Sequence, residues 1–182
     1  GPKRNFRVRL EAPERALAAG MRAVGLGALL GLADPASEAM HLYRHADHLR
    51  KKYWQAGVMV SFPRLCAQLG GYQPRHRVSD TFLARIIFAF RICLPEAPLV
   101  LSTREAAPFR DGMAGVGISR MSVASRTTVG GYRGAPDTGG QFEVNDTRNV
   151  TAFCRALKKK GLEPVFKNWD RVLHHPGRAV SI

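Results

Sequence analysis

Apolar positions in this chain alternate between two rhythms, short continuous runs and longer stretches with helical spacing. Pro13 suits the first turn of a short helix through Ala19, with Gly20 as its stop. Val24-Gly25-Leu26-Gly27-Ala28-Leu29 is too short and glycine-rich for a helix and reads as a buried strand. Asp34-Pro35 is an N-cap followed by proline at the first helical position, opening a helix through about Gln55 that Gly57 ends. A strand over Val58–Phe62 follows, then a loop marked by Gly70, Gly71 and Pro74. Ser79 caps an apolar helix from Asp80 to Cys93, closed by Pro95. Leu99–Ser102 is the next strand, Pro108–Gly112 a short helix and Arg120–Ala124 a further strand.

This alternation predicts an α/β fold of parallel strands joined by crossover helices, four units in all, or half of a (β/α)8 barrel. From residue 127 the character changes. Thr127 to Asn145 is rich in Gly, Pro, Asp and Thr and reads as a long loop. Asp146 is then expected to cap a helix ending in Lys158-Lys159-Lys160-Gly161, before a short strand over Leu162–Phe166 and then Trp169. The lysines suit a helix C-terminus, where the backbone dipole favours cations. Two units are therefore expected: residues 1–126, the half barrel, and residues 127–182, a C-terminal extension with a loop, helix and short strand.

Three of the strands lead into serine and arginine: Ser61-Phe62-Pro63-Arg64, Ser102-Thr103-Arg104 and Ser122-Val123-Ala124-Ser125-Arg126. In a parallel sheet these residues share the carboxyl edge, where α/β folds bind ligands. Guanidinium groups gathered there suit a carboxylate or phosphate, whose planar oxygens match the arginine fork.

Charge and cysteine usage narrow the classes. The 182 residues carry 28 Lys plus Arg against 14 Asp plus Glu, a net charge of +14. Such an excess raises the expectation of an anionic partner, but no Lys/Arg tract interleaved with aromatics supports nucleic acid. Cys66, Cys93 and Cys154 are far apart and form no C-x-x-C pair, which excludes a zinc knuckle and a disulfide framework and fits a reducing cytoplasm. No apolar run is long enough for a membrane span. Lys3–Arg9 is charged with no apolar core behind it, so no secretory leader is expected.

Other clusters carry less. His41, His45 and His48 share a helical face and could hold a metal, although a crossover helix lies outside a barrel, away from its mouth. Gly130-Gly131 and Gly139-Gly140 follow the last strand, where barrels bind phosphate through backbone amides, but ordinary turns use the same residues. Glu105 fits two roles equally, a base or the ion-pair partner of a nearby arginine.

Ordered blocks then give a specific resemblance. Gly1-Pro2-Lys3, Arg9-Leu10-Glu11, Gly25-Leu26-Gly27-Ala28-Leu29-Leu30-Gly31-Leu32, Ser61-Phe62-Pro63-Arg64, Leu101-Ser102-Thr103-Arg104-Glu105 and Phe109-Arg110-Asp111 occur in sequence. Ser122-Val123-Ala124-Ser125-Arg126-Thr127, Gly130-Gly131-Tyr132, Gln141-Phe142 and Pro164-Val165-Phe166-Lys167-Asn168-Trp169-Asp170 follow. Nearly the whole chain resembles the C-terminal half of the radical S-adenosylmethionine tyrosine lyases of thiamine biosynthesis, the 2-iminoacetate synthase (ThiH) family. The hydrogenase-maturation tyrosine lyases are a related family with extra C-terminal cysteines; the tail here, Val165-Phe166-Lys167-Asn168-Trp169-Asp170, has none.

The resemblance implies a (β/α)8 barrel holding a 4Fe–4S cluster on an N-terminal C-x-x-x-C-x-x-C loop. It implies reductive cleavage of S-adenosylmethionine to a 5′-deoxyadenosyl radical, hydrogen abstraction from tyrosine, and release of 2-iminoacetate and p-cresol. The imine would pass to thiazole assembly, making a thiazole synthase an expected partner. On the present residues it implies cosubstrate contacts at Gly25, Gly27, Leu29 and Arg64, the glycines letting adenosine lie close to the backbone because they lack a Cβ. It implies substrate contacts at Ser102, Arg104, Ser125 and Arg126, with Arg104 as the carboxylate clamp.

One departure is large: the C-x-x-x-C-x-x-C motif and the first four barrel strands are absent from this sequence, and Cys66, Cys93 and Cys154 cannot replace the motif. A cytoplasmic tyrosine lyase active only when complete is one expectation, needing its N-terminal half or another copy to cover its strand edges. A non-catalytic interaction or scaffold module is the second. A basic nucleic-acid or phosphate binder is the third, supported by charge alone.

Overall fold

A computed structural model describes residues 4–66, 71–128, 131 and 142–166. Four strands, β1 (Ala23–Gly27), β2 (Gly57–Ser61), β3 (Leu99–Leu101) and β4 (Arg120–Met121), form one parallel sheet in the order β1-β2-β3-β4. Helices α1 (Phe6–Leu10) and α2 (Ala12–Ala18) precede the sheet. α3 (Pro35–Lys52), α4 (Asp80–Cys93) and α5 (Ala107–Met113) connect its strands, and α6 (Val150–Lys159) follows it. The expected α/β half barrel is the architecture found.

Strand alternation decides which face is covered. Val24, Leu26, Val58, Val60, Leu99 and Leu101 are buried in one core with Leu42, Ala46 and Leu49 of α3 and Leu83, Ile86, Ile87 and Phe90 of α4. Phe90 meets Phe62 edge-on at 4.9 Å, an arrangement that suits the ring quadrupoles. Among the described residues the opposite face is open. Register sets Gly25 beside Met59, and aligns Gly27, Ser61, Val100 and Arg120 in a row. Gly25 and Gly27 are exposed, and Arg120 extends over this face to the Met59 sulfur at 3.0 Å.

Several boundaries differ from expectation for identifiable reasons. α3 ends at Tyr53, and Gly57 opens β2 instead of closing the helix. α1 was not expected; Asn5 caps it by accepting the Val8 amide at 3.1 Å. β4 stops at Met121 because Ser122 turns inward, its carbonyl accepting from Arg110 and its hydroxyl from the Thr103 amide at 3.2 Å. Ala124 then adopts a left-handed φ of 51°. Asn149, not Asp146, caps α6, accepting the Ala152 amide at 2.8 Å. The expected strand over Leu162–Phe166 does not form; Leu162 instead packs over Gly115, where a Cβ would lie 2.9 Å from its methyl group. Trp169, Gly130, Gly139 and Gly140 lie outside the described residues.

Candidate functional site at the carboxyl edge of the sheet

Four parallel strands deliver their following loops to one edge. Leu30 bridges to Arg64 there, prolonging the β1–β2 pairing: its amide donates to the Pro63 carbonyl at 2.8 Å, and its carbonyl accepts from Leu65 at 2.9 Å. The loop after β3 brings Arg104 and Glu105 alongside. Between them opens a cavity of about 490 Å³ whose lining includes Arg64, Cys66, Tyr72, His76, Arg104 and Glu105.

The two arginines have different fates. Arg64 Nε donates to Glu105 Oε2 at 2.9 Å, Nη1 to the Val78 carbonyl at 2.8 Å, and Nη2 pairs with Asp80 Oδ1 at 2.7 Å. Burial works against its charge, but the carboxylates of Glu105 and Asp80 outweigh it and raise its pKa. Its fork is thus committed within the protein, and Glu105 is its ion-pair partner. Arg104 is half-buried and lies face-on over Phe142, its guanidinium carbon 3.5 Å from the ring centre. Nη1 donates to the Arg64 carbonyl at 3.4 Å; among the described residues, Nε and Nη2 meet no acceptor within hydrogen-bonding distance.

The remaining expected contacts are divided. Ser102 Oγ accepts the Arg104 amide at 3.3 Å, so it shapes the turn that presents Arg104. Ser125 and Arg126 line a second cavity of about 520 Å³ with Thr127, Thr128, Phe142 and Thr147. The segment carrying Phe142 therefore stands between Arg104 and the Ser125–Arg126 pair. At β1 the two glycines also differ. A Cβ on Gly27 would sit 2.4 Å from Ser61 Oγ, whereas nothing lies within 4 Å of one on Gly25. Leu29 is half-buried beside them.

A buried ion network fixes this edge. Arg110 and Asp146, each with about 1% of the side chain exposed, are paired, and the Arg110 guanidinium lies 4.7 Å from the Phe153 ring centre. Arg148 joins Asp146 Oδ2 at 2.7 Å and Asp111 at 2.9 Å. The backbone amides of Asn145 and Asp146 donate to the Thr103 carbonyl at 3.0 and 3.1 Å, and Asn145 Nδ2 to the Arg104 carbonyl at 2.7 Å. Sequence reading missed Phe142, Asn145 and Arg148 as supports of the site. A buried Arg–Asp partnership across 36 residues leaves no periodic signal.

Two other expectations meet the coordinates here. His41, His45 and His48 stand on α3 with His41 and His48 exposed, and no metal-holding group occurs among the described residues. The three cysteines are free, and burial pushes the Cys66 thiol up, away from the thiolate an iron–sulfur cluster needs. The described residues do not fit such a cluster. For the cosubstrate the bare backbone at Gly25 does leave room for a flat group.

The model for BATS, the Biotin and Thiamin Synthesis associated domain, matches residues 61–163. The chain belongs to the Biotin and Thiamin Synthesis associated domain family. Within this BATS match lie Arg64, Arg104 and the whole Arg110–Asp146–Arg148 network. The 2-iminoacetate synthases of Salmonella typhimurium and Escherichia coli are each 41% identical over 182 residues, covering 98% of this chain. The chain spans about half the length of these relatives, 47% in each case. These are the proteins to which the ordered sequence blocks point. A crystal structure of HydG, a maturase of the FeFe-hydrogenase, superposes with TM-score 0.86 and 34% identity over 97% of this chain and 38% of its own. HydG from Carboxydothermus hydrogenoformans gives 0.79 and 40%, over 89% of this chain and 37% of its own. The four strands and their helices match the C-terminal part of the HydG barrel. No described helix is long and apolar enough to cross a membrane.

Proposed function

We propose that this chain forms the substrate-facing half of a cytoplasmic tyrosine lyase that cleaves tyrosine to 2-iminoacetate and p-cresol for thiazole synthesis. The observation that carries the reading is the Nε–Nη2 edge of Arg104, uncommitted among the described residues, at a cavity where Arg64 is already paired. That edge matches a carboxylate two bonds at a time. The phenol ring of tyrosine is a volume of the order that a cavity of about 490 Å³ accepts.

S-Adenosylmethionine, bound with a 4Fe–4S cluster on cysteines outside this sequence, would supply the radical chemistry. This chain's own part is to bind and orient. Gly25 offers a bare stretch of backbone for the adenosine, Gly27 lets Ser61 close against β1, and Leu29 flanks them. Arg64 acts through its pair with Glu105, stiffening the wall on which Arg104 stands. Ser102 holds the Arg104 turn, while Ser125 and Arg126, in the second cavity, suit polar groups away from the carboxylate. A thiazole synthase is the expected recipient of the imine, and an N-terminal half or a second copy would cover the strand edges.

Calorimetric titration tests the reading. Tyrosine should bind, tyramine, which lacks the carboxylate, should bind at least tenfold more weakly, and Arg104→Ala should lower tyrosine affinity by about 10- to 100-fold, the worth of a charge-assisted pair. Equal affinities for tyrosine in the two proteins would remove Arg104 from the carboxylate role.

A further inference from the structure

We propose that Phe142 is a positioning residue for Arg104: its ring is the platform that sets the guanidinium plane and leaves the Nε–Nη2 edge to an anionic ligand. The inference rests on the carboxylate role proposed for Arg104. An arginine side chain is long and loses much rotamer freedom when it is fixed, so a clamp built on an unsupported arginine binds weakly. Here the guanidinium carbon sits 3.5 Å from the Phe142 ring centre, the close face-on contact that favours a cation over an aromatic quadrupole. The ring leaves the in-plane donors of Arg104 unused, because stacking engages its face and not its edge.

The platform is itself anchored. Three residues past Phe142, the Asn145 side chain donates to the Arg104 carbonyl at 2.7 Å, and the Asn145 and Asp146 amides both donate to the Thr103 carbonyl. Asp146 is pinned by Arg110 and Arg148, and Arg148 reaches Asp111 on α5. Residues 142–148 therefore tie the ring to the same loop that carries Arg104 and to the helix behind it. Thr127 Oγ1 adds a bond to the Phe142 carbonyl at 3.1 Å. Phe142 also lines the cavity with Ser125 and Arg126, so the platform stands beside both pockets.

Phe142→Leu keeps an apolar side chain and removes the aromatic face, so it tests stacking with the packing largely retained. Tyrosine titrations of the 182-residue chain should show about fivefold weaker binding for Phe142→Leu. Phe142→Tyr should restore wild-type affinity, and tyramine binding should not change. In an Arg104→Ala background, Phe142→Leu should have no further effect, the mark of action through Arg104. Unchanged tyrosine affinity in Phe142→Leu, or an equal loss in both backgrounds, would overturn the platform. If Arg104→Ala leaves affinity unchanged, or the wild type binds no tyrosine, the carboxylate role falls, and the platform is judged by the Arg104 Nε–H proton resonance. Ring current should shift that proton in the wild type and Phe142→Leu should release it; a resonance identical in both would overturn the proposal.

Discussion

Among single residues, three arginines near this edge are held by different partners. Arg64 is consumed by Glu105 and Asp80, Arg110 by Asp146, and Arg104 lies over Phe142 with Nε and Nη2 meeting no acceptor among the described residues. Sequence placed Arg64 and Arg104 at the carboxyl edge correctly, because strand ends are legible from apolar runs. It could not tell them apart, since commitment depends on which carboxylate arrives from a distant loop. Asp146 shows the same limit. Burial opposes its ionisation, yet the hydrogen bonds from Arg148 and the charge of Arg110 hold its carboxyl below the usual range. A carboxyl with a lower pKa folded than unfolded stabilises the fold fully above its unfolded value, about 4, and loses that contribution as pH falls through the folded value. Asp146→Asn should therefore cost about 3 kcal/mol at neutral pH, by leaving Arg110 buried without its counter-charge, and should flatten the acid limb of the stability curve. Urea melts from pH 2 to 7 check both; an unchanged acid limb would deny Asp146 this role.

At the level of elements, helices with strong local signals matched closely. Ser79 caps α4 as read, accepting the Phe82 amide at 3.2 Å, and Asp34 caps α3 through the Ser37 amide at 2.8 Å. Elements whose limits depend on tertiary contact did not. β4 is cut short by the turn that Arg110 and Thr103 impose on Ser122, and Leu162 is drawn to Gly115 instead of into a strand. The capping of α6 gives a clean comparison. Asn149→Ala should destabilise the protein by about 1 kcal/mol, the usual loss of an N-cap, and leave its pH dependence unchanged. Thermal melts at pH 4 and 7 distinguish it from Asp146→Asn; a pH-dependent loss in Asn149→Ala would contradict the assignment of the two residues.

Across the whole molecule, the sheet is finished on one face and open on the other. The helices cover Val24, Val58, Leu99 and their neighbours, while Gly25, Gly27 and Arg120 stand exposed on a face that in the HydG match belongs to a barrel. Among the described residues β1 and β4 are both edge strands, with backbone groups available for pairing. The 182-residue chain alone should therefore dimerise through these edges at micromolar concentration. Light scattering showing a single monomeric species would contradict this. The net charge of +14 works against association, so raising ionic strength should increase it.

The proposed handling of tyrosine at this edge of the sheet is tested most directly in a hybrid in which the chain replaces the segment of Escherichia coli 2-iminoacetate synthase that it matches at 41% identity. With cluster, reductant, S-adenosylmethionine and tyrosine supplied, the hybrid should release p-cresol, and its Arg104→Ala variant should cleave S-adenosylmethionine but release little p-cresol. A hybrid that cleaves S-adenosylmethionine and yields no p-cresol, or one whose yield is indifferent to Arg104, would contradict the account.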